Sequence, residues 1–290
     1  MVGLVAVVRM RGPVTGLLAT GMATLILVLH SVSALTGVAW WMFDAGPLAQ
    51  HPRDVLAEVS PHGAVRVFGD HPGQDAAVAA RDTVDDLVAA GGLQRDVVVV
   101  AMPTGSGWVD PDQVEAVEQW ADGDVATVAV RYARVPSAVA FLLRPELAEA
   151  SATHLLQEVV DRVDELPESE RPEIVVHGQS LGVVAGMAAL EALETGVSAA
   201  LWQGRPGTVA APASAACTVD AVNQDDPVAA LGWGLFADPV AAVGVLADLP
   251  GSESAAAGTL HSYQPVLPPD GCTDGVGQEG TGTLRILNGR

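Results

Sequence analysis

A serine stands between two glycines in the segment Gly178-Gln-Ser-Leu-Gly182. A mostly apolar run that begins at Glu173 precedes it, and a run rich in alanine, valine and leucine follows it to Thr195, which predicts a buried strand, a sharp turn and a helix. A serine at such a turn takes a strained backbone conformation that lifts its hydroxyl above the sheet, where it can act as a nucleophile. Side chains at 178 and 182 would collide with the neighbouring strand and helix, so glycine is needed at both. We therefore predict Ser180 as a nucleophile.

A serine nucleophile needs a base that takes its proton and a carboxylate that orients the base. In proteins that carry this turn, the order along the chain is serine, acid, histidine. Of the seven histidines, only His261 follows Ser180, so His261 is the predicted base. His177 directly precedes Gly178 on the predicted strand, and we interpret it as a packed or pocket-lining residue.

The acid has more than one candidate. Eight carboxylates lie between the serine and the histidine. A catalytic acid belongs at the carboxyl end of a strand, where it can reach the same rim of the sheet as the serine. Asp225 and Asp226 follow the predicted strand Thr218 to Val222 and come just before Pro227. One of these two is the predicted acid, and we expect one of them to cap the helix that opens at the proline.

Two backbone N–H groups should stabilise the negative oxygen that forms when the serine attacks a carbonyl carbon. The first donor should be Leu181, which follows the nucleophile, and the second should come from the loop after another strand. The β-branched run that ends at Met102 predicts such a strand, and the loop after it is Pro103-Thr-Gly-Ser-Gly-Trp108. Within this loop, Thr104 and Gly105 are the predicted donors.

Strands and helices alternate along the chain. Continuous β-branched runs predict parallel strands that are buried on both faces, and apolar residues at helical spacing predict the helices between them. The predicted fold class is therefore α/β, with a mostly parallel sheet and helices on both faces. The predicted strands are 64–68, 96–102, 125–132, 173–179, 199–203 and 218–222, and the predicted helices are 74–90, 111–120, 145–166 and 181–195.

The N-terminal segment predicts a membrane helix. Two arginines precede a run without charged residues from Gly12 to Phe43, longer than the roughly 20 residues that a span needs. Paired tryptophans near its end are typical of the membrane interface. We expect an uncleaved signal anchor that crosses the cell membrane once through residues 14–43, with the body outside. The alternative is a signal peptide cleaved near Val32-Ser-Ala34, which would give a secreted protein.

The body of the chain is strongly acidic. Residues 44–290 hold all 35 acidic residues and 12 of the 14 basic ones. Such a surface disfavours nucleic acid and anionic lipid headgroups as ligands. Cys217 and Cys272 are too few for a structural zinc site, and no metal or cofactor site is apparent in the sequence. In an exported chain these two cysteines are expected to form a disulfide.

Proline and glycine mark the predicted boundaries of the domain. Residues 45–63 contain three prolines, which is typical of a linker. Residues 271–282 are rich in glycine and hold no basic residue that could bind a phosphate, so they predict a flexible tail. The predicted organisation is a signal anchor or signal peptide at 1–44, a linker at 45–63, a catalytic domain at 64–268 and a tail at 269–290.

Several of these motifs occur in the order seen in the actinobacterial α/β-hydrolase family of membrane-associated proteins, which the chain resembles over residues 64 to 265. The resemblance implies the α/β-hydrolase fold, with Ser180 as nucleophile and His261 as base. It also favours Asp226 over Asp225, because the acid of this family precedes Pro-Val. The motifs that carry the resemblance are Pro103-Thr-Gly-Ser-Gly-Trp-Val-Asp-Pro111, which is the most specific, Gly178-Gln-Ser-Leu-Gly182, Ala200-Leu-Trp-Gln-Gly204, Asp226-Pro-Val228 and His261-Ser-Tyr263.

These observations predict a serine esterase that acts outside the cytoplasm on a small-molecule or lipid ester, through an acyl-enzyme on Ser180. The same residues could pass the acyl group to a sugar or lipid hydroxyl instead of water, so an acyltransferase of the cell envelope is an alternative. The segment between Ser180 and His261 is shorter than in the family. That difference motivates a third hypothesis, a non-catalytic binding module with a hydrolase-like fold.

Overall fold

The structure is a computed structural model, and the predicted membrane segment lies outside the part that it describes. The same holds for linker residues 45–53 and tail residues 274–290. Among the described residues, no helix is both long enough and apolar enough to cross a membrane. The described residues are 54–273 without 72–73, 106, 135–139, 141–144, 194–195, 213–216, 231–251 and 253–254.

Within these residues, six parallel strands form one sheet in the order β1-β3-β2-β4-β5-β6. The strands are β1 (Val65–Gly69), β2 (Val97–Met102), β3 (Val125–Val130), β4 (Glu173–Gln179), β5 (Ala199–Gln203) and β6 (Thr218–Ala221). Every residue of β2 and β3 is buried, as expected for strands that are covered on both faces. The prediction of a parallel α/β sheet is confirmed.

Helices cover both faces of this sheet. They are α1 (Ala76–Ala89), α2 (Pro111–Trp120), α3 (Pro145–Asp164), α4 (Leu181–Ala192) and the short α5 (Pro227–Ala230). Successive residues of a strand point to opposite faces. Accordingly, Val98 and Val100 pack with residues of α1, α3 and α4, whereas Val97 and Val99 pack with residues of α2. The site at the strand ends therefore stands on a sheet that is buried from both sides.

The helix starts follow from their capping residues. Asp110 accepts a hydrogen bond from the N–H of Asp112 at 2.9 Å, and Pro111 is the first residue of α2. Proline suits this position because the first N–H groups of a helix have no partner within the helix.

The predicted strand 125–132 is shorter than expected, since β3 ends at Val130. Arg131 and Tyr132 therefore lie beyond the strand, at the edge of the sheet where Ser180 is found.

Part of the predicted linker belongs to the folded body. Residues 55–57 form a 3₁₀ helix, and the side chain of Leu56 is only 2% exposed because it packs with Ala101 and Val109. Asp54 begins this turn by accepting the N–H of Leu56 at 2.9 Å. The proline-rich stretch that predicted a linker thus includes a segment that packs on the α2 face of the sheet.

The segment after His261 is fastened to the same face. Gln113 of α2 is 2% exposed, and its side-chain amide exchanges two hydrogen bonds of 2.8 Å with the backbone N–H and carbonyl of Val266. Cys272 then forms a disulfide with Cys217, directly before β6, with a Cα–Cα distance of 5.4 Å. Residues 269–273, predicted as the start of the tail, are therefore held to the body.

Candidate active site

Ser180 occupies a sharp turn between β4 and α4. Its φ is 56° and its ψ is −118°, a combination that residues with a side chain rarely adopt. A Cβ atom at Gly178 would lie 2.5 Å from the carbonyl oxygen of Gly182, and one at Gly182 would lie 2.1 Å from the carbonyl oxygen of Met102. Both glycines are therefore required for the chain to pass this close to itself and to β2.

The turn is fixed to the neighbouring strand. The backbone N–H of Ser180 donates to the carbonyl of Gln203, the last residue of β5, at 2.9 Å. Leu181 is the first residue of α4, and the N–H groups of the first turn of a helix have no acceptor within the helix. These groups and the helix dipole favour a negative charge beside Ser180.

Asp226 and His261 form a buried pair. The Nδ1 atom of His261 lies 3.0 and 2.9 Å from the two carboxylate oxygens of Asp226, and the residues are 2% and 3% exposed, respectively. Because the carboxylate can only accept, Nδ1 donates and Nε2 carries the free electron pair. Nε2 is buried and has no hydrogen-bond partner among the described residues. An imidazole in this state can accept a proton at Nε2.

His261 and Ser180 contact the same short segment. Gly204 directly follows Gln203, which binds the backbone of Ser180. A Cβ atom at Gly204 would lie 2.5 Å from Cε1 of His261, so only glycine leaves space for the imidazole here. The residues predicted as nucleophile and base thus both contact the segment 203–204 at the end of β5, and no hydrogen bond joins Nε2 of His261 to Ser180.

The carboxylate of Asp226 has two further donors. It accepts the phenol O–H of Tyr263 and, at 2.7 Å, the backbone N–H of Val228 in α5. Burial, followed by the hydrogen bond to Asp226, raises the pKa of the Tyr263 phenol above its usual range. Tyr263 therefore stays protonated and donates. The sequence indicated no role for it beyond its place in the family motif.

Asp225 has a different partner. Its Oδ1 accepts the backbone N–H of Leu260 at 3.1 Å, and the imidazole hydrogen bonds of His261 go to Asp226. One of the two acids caps α5, as expected: it is Asp226, which accepts the N–H of Val228 in the first turn. Two adjacent carboxylates cannot be separated by spacing alone, because the direction of each side chain depends on the turn between β6 and α5.

The loop after β2 corrects one predicted donor. The N–H of Thr104 donates to the carbonyl of Trp108 at 3.0 Å, and the N–H of Gly107 donates to the carbonyl of Thr104 at 2.8 Å. The backbone N–H of Thr104 is used inside the loop, so the prediction that it stabilises an oxyanion is wrong. Gly105 is buried at the turn of this loop and stays a candidate.

Two charged residues that the sequence did not single out support this loop. Asp54 accepts the N–H of Val109 at 3.1 Å, and Arg131 lies beneath Gly107, where a Cβ atom would be 2.8 Å from its Cγ. Burial raises the pKa of Asp54 to about 6, although the N–H groups of Leu56 and Val109 oppose the shift. Asp54 and Arg131 lie near the loop because of tertiary packing, which cannot be predicted from the local sequence.

His177 lies in the sheet beneath the turn. It is 3% exposed, and its Nε2 donates to the side-chain oxygen of Gln203 at 2.8 Å. Burial lowers the pKa of His177 to about 4, against the effect of this hydrogen bond. The amide of Gln203 in turn donates to the carbonyl of Gln264 at 2.8 Å. The imidazole is therefore neutral at neutral pH, and it connects β4 to the segment after His261.

In the part of the chain that the structure describes, no group of three or more His, Cys, Asp or Glu side chains could hold a metal ion. The groups described above are a hydroxyl, an imidazole and a carboxylate, with backbone N–H groups at the start of α4. These groups are suited to acyl transfer through a covalent serine intermediate.

Comparisons with known proteins give a family and similar solved structures. A model described as the α/β-hydrolase family matches residues 65–230, which is more than half of the chain. The structure of Trichoderma reesei cutinase in complex with a C11Y4 phosphonate inhibitor is similar at 16% sequence identity and a TM-score of 0.37, over 59% of this chain and 88% of that chain. No curated protein matches the sequence.

Proposed function

Since the chain belongs to the α/β-hydrolase family, we propose that it is a serine esterase that cleaves carboxylic esters through an acyl-enzyme on Ser180. In this proposal His261 is the base, Asp226 is the acid that orients it, and Asp225 is not part of the triad. The observation that carries the proposal is the buried Asp226–His261 pair, whose imidazole lies against Gly204, directly after the residue that binds the backbone of Ser180.

The proposed reaction has two acyl-transfer steps. The Nε2 of His261 takes the proton of the Ser180 hydroxyl while Oγ attacks the ester carbon, and the same proton then passes to the leaving alcohol. Water attacks the acyl-enzyme in the second step, with His261 again as base. Asp226 keeps the proton of the neutral imidazole on Nδ1 and stabilises the imidazolium that forms.

The negative oxygen of the tetrahedral intermediate needs donors that are already in position. We assign the N–H of Leu181 as one donor, because it begins α4 directly after the nucleophile. The second donor should come from the loop after β2, in which Gly105 is the other predicted residue.

Labelling with an active-site-directed phosphonate tests this function. Wild-type protein should be labelled at Ser180 and should hydrolyse p-nitrophenyl esters, and Ser180→Ala should do neither. Equal labelling of the two proteins would contradict the proposal, and so would ester turnover that persists in His261→Ala. Product analysis with an added alcohol separates hydrolysis from acyl transfer, because a transferase would form the new ester in place of the free acid.

The location and the closer family assignment belong to the same proposal. We place the chain among the actinobacterial, membrane-associated members of the family, anchored through residues 14–43 with the catalytic domain outside the cytoplasm, and we expect a small-molecule or lipid ester as substrate. The Cys217–Cys272 disulfide supports an oxidising compartment. In intact cells, external protease should digest the domain. Protection until the membrane is permeabilised would contradict this location.

A further inference from the structure

Asn223 contacts the backbone on both sides of the predicted base. Its side-chain Nδ2 donates to the carbonyl of Leu260 at 2.9 Å and to the carbonyl of Ser262 at 3.0 Å. These are the residues directly before and after His261. One amide group therefore binds the carbonyls of both residues that flank His261.

The backbone of Asn223 reaches the predicted acid through a second route. Its N–H donates to the phenol oxygen of Tyr263 at 3.3 Å, and that phenol donates to the carboxylate of Asp226. Asp226 in turn accepts the Nδ1 proton of His261. Asn223 is thus bound both to the loop that carries the base and to the tyrosine that holds the acid.

The loop needs this support because of its own conformation. Leu260 has a φ of 50°, in the left-handed region that leucine disfavours. Its N–H is held by Asp225, and its carbonyl is held by Asn223. Without these partners the loop would relax towards a common conformation, and the following residue, His261, would turn with it.

From these contacts we propose that Asn223 is a positioning residue that sets the orientation of the His261 imidazole toward Asp226. The proposal rests on the function assigned to Ser180, His261 and Asp226. Asn223 does not touch the reacting atoms and acts through the loop. Its loss should therefore reduce the rate of the chemical step and leave substrate binding nearly unchanged.

The kinetic test compares Asn223→Ala with Thr259→Val. Thr259 belongs to the same loop, and its hydroxyl donates to the carbonyl of Ala256, away from the imidazole. For Asn223→Ala we expect kcat to fall by roughly 10- to 100-fold, the effect of a small misplacement of a catalytic group, with KM within about 2-fold of wild type. Thr259→Val should keep kcat within about 2-fold, since it removes a single hydrogen bond of an exposed hydroxyl.

The kcat of each variant is calculated per active chain, and the active chains are counted by the final extent of phosphonate labelling. If Asn223→Ala shows an unchanged kcat per labelled chain and only a lower melting temperature, Asn223 has a structural role alone and the proposal fails. Asn223→Asp keeps the shape of the side chain and removes its two donors. It should give the same loss, and it replaces the alanine variant if that variant does not fold.

A readout without substrate separates this inference from the proposed function. The ¹⁵N shifts of selectively labelled histidine report which ring nitrogen carries the proton, and His261→Ala assigns the signal. Wild-type protein should hold the proton on Nδ1, and Asn223→Ala should show both tautomers. The same single tautomer in both proteins would overturn the role of Asn223. The absence of esterase activity in the wild type would overturn the proposed function alone.

Discussion

At the level of single residues, the two adjacent carboxylates Asp225 and Asp226 have different partners. Asp226 is 3% exposed and is bound by an imidazole, a phenol and a backbone N–H. These three kinds of donor satisfy a buried carboxylate that would otherwise be costly to desolvate. Asp225 holds only the backbone of Leu260 among the contacts described above.

The pair provides a matched comparison. Asp226→Asn should reduce kcat by roughly 10³- to 10⁴-fold, because an amide can hold the imidazole in the wrong tautomer. Asp225→Asn should reduce it by less than about 10-fold, since an amide oxygen can still accept the single N–H of Leu260 at the ordinary strength of such a bond. Steady-state rates with a p-nitrophenyl ester measure both. Similar losses in the two variants would contradict the assignment of Asp226.

Residue types and chain order were enough to predict which side chains to examine. The Gly-x-Ser-x-Gly spacing indicated Ser180, and elimination among seven histidines indicated His261. The contacts of Asn223 and Tyr263 were not predicted, because their partners lie on other segments of the chain. The side-chain hydrogen bonds of Asn223 span 37 and 39 residues, and that of Tyr263 spans 37. The N–H of Thr104 was assigned wrongly because its bond to Trp108 depends on the path of the loop.

At the level of elements, the approach of β4 and α4 to β2 depends on the absence of side chains. Gly182→Ala would place a Cβ atom 2.1 Å from the carbonyl oxygen of Met102, which is part of the backbone and cannot rotate away. We expect Gly182→Ala to lower the free energy of unfolding by about 3 kcal/mol or more. Urea unfolding measures this value.

Gly63→Ala is the control for that substitution. Gly63 has a positive φ, of 80°, and a Cβ atom there would meet nothing within 4 Å. Only the backbone strain of roughly 1–2 kcal/mol should appear. If both variants lose the same amount, the close approach of the turn to β2 is not what requires glycine at 182.

The support of the loop after β2 should depend on pH through Asp54. Burial raises the pKa of Asp54 from 3.8 to about 6 in the folded chain, so the folded state binds more protons than the unfolded state between these values. The contribution of Asp54 to stability is therefore greatest below about pH 4 and falls as the pH rises through 6. A shift of about two units corresponds to about 3 kcal/mol.

Asp54→Asn isolates this contribution. Its side-chain oxygen can still accept the N–H of Leu56, and it does not titrate. The difference in unfolding free energy between wild type and Asp54→Asn should shift against the wild type by about 2 kcal/mol from pH 4 to pH 7. Urea titrations at several pH values measure it. A constant difference over this range would show that the carboxyl is not desolvated in the folded chain.

At the level of the whole molecule, a disulfide links the two ends of the segment that contains His261. Cys217 and Cys272 are 55 residues apart, and a loop of that length stabilises a folded chain by about 4 kcal/mol through the entropy of the unfolded state. The free energy of unfolding should fall by about this amount when the wild type is reduced. It should fall equally in the double variant Cys217→Ser with Cys272→Ser. Guanidinium unfolding with and without a thiol measures it, and no loss in either case would contradict the prediction.

The overall architecture was the most predictable part of the molecule. Buried β-branched runs such as Val97–Met102 have few alternatives to a central parallel strand, because only covered sheets accommodate them. The limits of the body were harder to predict. Leu56 lies in a proline-rich stretch with the composition of a linker, and its burial against Ala101 and Val109 becomes evident only once the sheet is formed.

The order of these parts along the chain has a consequence for when activity can begin. The sheet and the turn at Ser180 are complete by Ala221, but the imidazole at His261 arrives on a later segment, which Gln113 and the Cys217–Cys272 disulfide fasten. A chain that has folded its core and has not yet oxidised would hold a nucleophile without a firmly seated base. Under the proposed function, activity should then appear late in maturation, after the disulfide has formed.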